Sequence, residues 1–352
     1  MRKPIPAPFP WFGGKRRVAD EVWRRFGDVQ NYVEPFFGSG AVLLGRPYLG
    51  GIETVNDLDG YVANFWRALK ADPEQVAEHA DWPVHENDLH ARHAWLVQRR
   101  EALRACLEGD PEYYDVKIAG WWCWGICCWI GSGFCSGNGP WAVDENRQLV
   151  RLGNDGRGVK RQLVHLGNNG MGVNRTSVGG NGAGVQRSLP HLFEGRGIHR
   201  KRVTLIRWFA ALAERLRDVR VCSGDWSRVC GPTATYILGT TGVFLDPPYS
   251  DAAERDSNIY TQDDLTVARA VREWAIAQGS NPLMRIALCS YGEAALPKGW
   301  QRFSWAAHGG YGVQRASERN NNRERETIDF SPHCLVCAQA SLFEQPAGSA
   351  HE

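Results

Sequence analysis

Four consecutive residues, Asp246, Pro247, Pro248 and Tyr249, carry the clearest chemistry in the chain. They follow an apolar run at 242–245 and so fall at the carboxyl end of a predicted strand. Open α/β sheets place their sites there. The residue types suit one task. An amino group conjugated to an aromatic ring is a poor nucleophile, because its lone pair is delocalised into the ring. A carboxylate and a backbone carbonyl fixed by proline's rigid φ can accept its hydrogen bonds and localise that pair, while an aromatic side chain stacks on the ring. Asp246, the carbonyl of Pro247 and Tyr249 supply those parts.

A second constellation lies near the start of the chain. Val33-Glu34-Pro35-Phe36-Phe37-Gly38-Ser39-Gly40 reads as a strand running into a glycine turn and then a helix. Glycines let a backbone approach a bound cofactor closely, and the acid can accept from one of its polar groups. About 20 residues on, Asn56-Asp57 ends the next strand, where an acid conventionally binds ribose hydroxyls of an adenosine-containing cofactor. A nicotinamide-dependent oxidoreductase uses the same geometry, so these features alone leave that class open. Two further motifs flank them: Pro8-Phe9-Pro10-Trp11-Phe12-Gly13-Gly14-Lys15 before the first strand, and Gly224-Asp225-Trp226 after a later one.

Elements that would position these residues alternate at both ends of the sequence. Strands are expected at 31–34, 52–57, 219–222, 242–245 and 284–290, and helices from 41, over 61–69, over 203–216 with Ile206, Phe209, Ala213 and Leu216 on one stripe, and over 263–277. Strands alternating with helices predict an α/β fold with a doubly wound sheet. The middle, 71–202, breaks the rhythm. It holds an apolar Trp/Cys-rich run at 118–134, shorter than the roughly 20 residues of a membrane span and read as a buried helix. A glycine-rich stretch follows.

The 352 residues carry a formal net charge of only +2, but the charge is segregated. Between Arg147 and Arg202, eleven Lys or Arg oppose only Asp155 and Glu194, so this stretch is +9 and the remainder −7. A basic surface on an otherwise acidic protein is a footprint for phosphate binding. Within it the pattern Gly-x-Gly-[Val/Ile]-x-Arg recurs four times, ending at Arg161, Arg175, Arg187 and Arg200, with another copy at 310–315. The repeats read as tight turns that each present a β-branched and a basic residue; a flexible linker is the competing reading. The ten cysteines lack the spacing of a disulfide framework or of paired zinc ligands, so no metal is expected. With no signal-peptide pattern at the N-terminus, a cytoplasmic setting is expected. His308 and His333 read as ordinary histidines, and the charged turn at 320–326 as solvated.

Taken together, the Pro-Phe-Pro-Trp-Phe-Gly-Gly-Lys, Glu-Pro-Phe-Phe-Gly-Ser-Gly, Gly-Asp-Trp and Asp-Pro-Pro-Tyr elements resemble the DNA adenine (N6) methyltransferase family. The likeness is to the subgroup with cofactor motifs first, an inserted target-recognition region, and the Asp-Pro-Pro-Tyr motif last. It covers roughly 8–70 and 203–335. It implies a Rossmann-like methyltransferase sheet built from 1–70 and 203–340, an inserted recognition domain at 71–202, and a disordered tail at 341–352. It also implies S-adenosylmethionine as cofactor and double-stranded DNA as partner, in a monomer or weak dimer, with a cognate restriction nuclease left open and no membrane. Trp11 and Lys15 would contact the cofactor; Glu34, Phe36, Gly38 and Gly40 would cradle its methionine part. Asp57 would bind its ribose and Asp225 its adenine amino group. Direct in-line transfer needs no thiol nucleophile, and the Pro-Cys pair expected of cytosine C5 methylation is absent from the sequence. N4-cytosine methylation and an inactive DNA-binding protein of the same fold remain as alternatives. A base inside a duplex must be flipped out to react; Tyr249, and Tyr260 on the loop after it, would wall the flipped base. Two departures stand out: a shorter glycine run, and repeats not general to the family.

Overall fold

The computed structural model describes residues 4–11, 15–48, 50–110, 112–129, 134–135, 141–143, 149–151, 198–248, 262–290, 296–305 and 326–336. Its strands are β1 (Asn31–Glu34), β2 (Ile52–Asp57), β3 (Trp141–Val143), β4 (Leu149–Arg151), β5 (Arg220–Ser223), β6 (Thr241–Leu245), β7 (Met284–Ser290), β8 (Gln301–Ser304) and β9 (Thr327–Phe330). Helices are α1 (Ala19–Phe26), α2 (Ala41–Leu44), α3 (Gly60–Ala71), α4 (Pro73–Ala80), α5 (Glu86–Gly109), α6 (Val116–Cys128), α7 (Ile198–Leu216) and α8 (Gln262–Gln278). Seven strands form one sheet in the order β5-β2-β1-β6-β7-β9-β8, while β3 and β4 pair separately as an antiparallel ribbon. The first five strands of that sheet run parallel, and β9 lies antiparallel between β7 and β8. A seven-stranded, mostly parallel sheet in a mixed α/β protein is consistent with a Rossmann-like methyltransferase.

Side-chain alternation along the strands divides the core into two faces. Tyr32, Phe244, Ala287, Cys289, Ile328 and Phe330 pack with buried residues of α1, α3, α4, α6 and α7. Val33, Val243, Leu245, Ile286 and Leu288 pack on the other side with Val271 and Ala275 of α8. The sheet is therefore covered on both faces, as a parallel sheet requires. Chain order reverses between β1 and β6: from β1 the chain winds outward through β2, and β6 starts the other wing. The crevice at such a switch point is where ligands of open sheets bind.

Local signals explain the elements. Asp59, Asp72 and Asp115 cap α3, α4 and α6 by accepting from the amides of Tyr61, Gln75 and Ile118 at 2.8, 3.1 and 2.7 Å. The Trp/Cys-rich run does form a buried helix, α6, which ends at Cys128. Two expectations are corrected. The fourth glycine repeat is not wholly a turn, because Ile198 to Arg200 open α7. In that helix the buried stripe is Leu205, Phe209, Leu212 and Leu216, with Ile206 and Ala213 only flanking it. Repeats ending at Arg161, Arg175 and Arg187, the copy at 310–315, His308, and Tyr249 and Tyr260 lie outside the described residues, as does the side chain of Arg200.

Candidate active site at the carboxyl ends of the central strands

Parallel pairing of β2, β1 and β6 brings their carboxyl ends side by side, and with them Asp57, Glu34 and Asp246. These acids lie far apart in the sequence; register unites them. Glu34 is buried, with Tyr32 Oη donating to its Oε2 at 2.8 Å. Burial pushes its carboxyl up to about 8, aided by the negative neighbours Asp246 and Asp57 and opposed by the Tyr32 hydroxyl and the Leu43 amide. Asp57 is pushed up to about 7, again first by burial and then by Asp59.

The glycine turn between β1 and α2 is tied to these acids. The Gly38 amide donates to Asp57 Oδ2 at 2.8 Å and the Asp59 amide to Asp57 Oδ1 at 2.9 Å. The adjacent Phe37 amide donates to the Asn56 carbonyl at 2.9 Å, and the Asn56 side chain donates to Pro35 and Gly224 carbonyls at 3.1 and 2.9 Å. Asn56 thus stitches the ends of β1, β2 and β5 together. Gly38 has φ +46°, and a Cβ there would meet Trp11 Nε1 at 2.2 Å, so the indole of Trp11 packs directly on the turn. Trp66 closes the other side by donating from Nε1 to the Gly38 carbonyl at 2.8 Å. Gly40, at φ +67°, begins α2 against the ring of Phe37.

Lys15 comes from the short turn before α1, is buried, and sets its ammonium 3.1 Å from Asp246 Oδ1 and 3.6 Å from Glu326 Oε2. Burial by itself lowers a lysine's pKa, but the negative potential of Asp246 and Glu326 outweighs it and holds Lys15 above the ordinary range. The charge on this lysine is therefore permanent at any physiological pH. Pro247, buried, and Pro248, half-buried, continue the chain from Asp246.

Residues 11–108 match the family model of the D12 class N6 adenine-specific DNA methyltransferases. Similar proteins include the DNA N-6-adenine-methyltransferase of Escherichia phage P1, 27% identical over 120 residues, which are 30% of this chain and 16% of the phage protein. The DNA adenine methylase of Vibrio cholerae is 30% identical over 79 residues, 22% of this chain and 28% of the methylase. The matched part thus spans less than a third of either relative. The stretch that fits the family model carries Trp11, Lys15, Glu34, Phe36, Gly38, Gly40 and Asp57, and ends before Asp225 and Asp246.

Two of the remaining predicted residues stand beside this cluster. Phe36 stacks on Trp226, with ring centroids 6.5 Å apart and planes at 26°. Asp225 is exposed at the end of β5 and caps the following turn, accepting from the Ser227 amide at 3.0 Å and from its hydroxyl. Sequence reasoning missed Asn56, Trp226 and Glu326 as site residues, although the first two adjoin the predicted acids Asp57 and Asp225. Glu326 is also a correction. Expected on a solvated turn, it is buried beside Lys15, because pairing of β9 with β7 carries it to the carboxyl edge of the sheet. His333 is exposed, its Nε2 3.1 Å from the Ser280 carbonyl. Cys123, Cys127 and Cys128 are buried in α6, the first two facing the Pro8 carbonyl at 4.0 and 3.9 Å. No helix among the described residues is long and apolar enough to cross a membrane.

Proposed function

We propose that this protein is an S-adenosylmethionine-dependent DNA methyltransferase acting on the N6 amino group of adenine in duplex DNA. The observation that carries the reading is the convergence of Glu34, Asp57 and Asp246 at the switch point, with Asp246 opening an Asp-Pro-Pro-Tyr segment. The likeness of residues 11–108 to a family of that activity supports it.

The donor set fits the cofactor. S-adenosylmethionine supplies an electrophilic methyl carbon on a positively charged sulfur. Glu34, buried, and Asp57, half-buried, are raised to about 8 and 7 with no full counter-charge among the described residues, and a cationic group nearby would keep both ionised. The Asn56 Oδ1 is likewise buried with no hydrogen-bond partner among the described residues. Trp11 and the Gly38 turn would hold the methionine part, Asp57 the ribose, and Asp225 with the Phe36–Trp226 pair the adenine. Lys15 would neutralise Asp246 until substrate arrives.

Asp246 and the Pro247 carbonyl then accept hydrogen bonds from the target amine and localise its lone pair, while Tyr249 and Tyr260 wall the flipped base. Held there, the cofactor would supply its methyl group to the amine nitrogen by direct in-line displacement, and the nitrogen would release one proton to water. Residues 71–202 would form the target-recognition part, with Arg161, Arg175, Arg187 and Arg200 on DNA phosphates.

The test is nucleoside mass spectrometry of DNA from cells expressing the protein. N6-methyladenine above the level of an empty-vector control is the expected result. N4-methylcytosine in its place would overturn the base assignment, and no methylated base would overturn the activity.

A further inference from the structure

Strand register explains why one lysine meets two acids. Leu245 of β6 pairs with Leu288 of β7, and Ser290 of β7 pairs with Thr327 of β9. Asp246, just beyond β6, and Glu326, just before β9, therefore flank the end of β7 from opposite sides. Two strand spacings of about 4.8 Å each separate their backbones. Lys15 fills the interval, 3.1 Å from one carboxylate and 3.6 Å from the other. Glu326 Oε2 is buried and accepts no hydrogen bond among the described residues, so the ammonium is its nearest compensation. Trp305, whose amide donates to the Glu326 carbonyl at 3.3 Å, sets its ring 5.9 Å from the Lys15 ammonium. The β8–β9 edge, which no motif marked, thus reaches into the site.

We propose that Glu326 is a positioning residue that shares the Lys15 ammonium with Asp246, so that Asp246 can turn to the target amine without stranding a buried cation. The inference rests on the methyl-transfer reading above. With a single partner, the amine's N–H would have to compete against a buried ion pair, and breaking one leaves a costly uncompensated charge. With a second carboxylate already at 3.6 Å, the ammonium needs to shift only slightly, and its charge stays compensated throughout. Two acids and one base also leave the triad at −1, the sign that stabilises positive charge developing on the amine nitrogen as the new bond forms. Among the described residues, the groups facing Glu326 are Lys15 from the N-terminal turn and Asp246 at the end of β6. Burial raises the Glu326 carboxyl above its usual range and Asp246 adds to this, while Lys15 opposes it.

The experiment compares wild type, Glu326→Gln and Glu326→Asp by kcat and KM across pH, with thermal melts to verify folding. Glu326→Gln makes the triad neutral while Asp246 is ionised. Its kcat at pH 8 should fall about tenfold, or about 1.4 kcal/mol of barrier, with the cofactor KM little changed. It should also lack the decline that protonation of Glu326 produces in wild type on acidification. Glu326→Asp should restore that pH dependence and part of the rate. A second readout needs no turnover: the carboxyl carbon-13 shift of Glu326 is titrated in free wild type and in Asp246→Asn. Its midpoint should fall in the variant, which removes the negative neighbour that helps to raise it. A Glu326→Gln enzyme with wild-type kcat and pH profile, or a midpoint unmoved by Asp246→Asn, would each overturn this inference alone. If Glu326→Gln fails to fold, the titration midpoint decides. Inactive wild-type protein would overturn the methyl-transfer reading, and this inference with it.

Discussion

Binding of a cation between Glu34 and Asp57 should be coupled to proton release, and the coupling has a calculable sign. In the free protein the two carboxyls are raised to about 8 and about 7 from ordinary values of 4.5 and 3.8, chiefly by burial. At pH 6 both are therefore mostly protonated. A bound sulfonium favours the carboxylates, so binding at pH 6 expels up to two protons, and binding well above pH 8 expels almost none. Affinity should tighten as pH rises from 6 to 8 and then level off. One linked proton is worth up to about tenfold in affinity per pH unit below the free-state value, so a gain of at least about tenfold across that interval is expected. Without ligand the sign reverses for stability. Folded acids that hold protons more tightly than the unfolded chain favour folding least at high pH, so this contribution declines from about pH 4 until pH passes about 8. Calorimetric titration of S-adenosylmethionine at pH 6.5, in two buffers of different ionisation enthalpy, counts the protons directly. S-adenosylhomocysteine, which has the same amino group but no sulfonium charge, should release fewer, and Glu34→Gln should remove one of them. Identical enthalpies in both buffers together with a pH-independent affinity would refute the reasoning.

Other consequences can be checked with single preparations. Asp246→Ala should reduce methyl transfer by at least about a hundredfold, as expected for loss of a group acting on the reacting amine, while gel-shift affinity for DNA stays within about twofold; an active variant would remove Asp246 from the chemistry. Gly38→Ala places a Cβ 2.2 Å from Trp11 Nε1 at φ +46°. It should cost about 1 to 3 kcal/mol in urea unfolding and weaken cofactor binding; an unchanged midpoint would mean the turn can relax. A quadruple Arg→Ala variant at Arg161, Arg175, Arg187 and Arg200 should lower the slope of log affinity against log salt by about 0.9 for each phosphate that is no longer neutralised. An unaltered slope and affinity would make the repeats a linker.

Strands β1 and β6 were legible because each is a short, fully buried run closed by an acid and proline, the look of a parallel strand covered on both faces. Asp57, Glu34 and Asp246 were legible for a related reason: the carboxyl end of such a strand is the place where a charged residue meets a crevice rather than a core. Helix α5 was harder to see. Its buried stripe includes Arg92 and His93 between Leu89 and Leu96, which erases the hydrophobic signal. Arg92 is tolerated there because the rings of Trp82, Trp121 and Trp124 surround its guanidinium at 4.4 to 4.8 Å, a partnership drawn from distant segments. Glu326 was misread for the opposite reason. Its neighbours in sequence are charged, and only the seating of β9 against β7 reveals that it leaves them for the interior.

The place of β9 in the sheet bears on how the protein is made. Strand β7 is an apolar segment with five of its seven residues buried, and its outer edge pairs with β9, more than 35 residues later in the chain. During synthesis β7 therefore emerges with one row of backbone groups unpaired, at the stage when an exposed edge invites pairing with another chain. The same late strand brings Glu326 to Lys15. Protection from aggregation and completion of the charge triad thus arrive in one step, so a chain interrupted before residue 326 would be both sticky and incompletely assembled, an apt substrate for quality control.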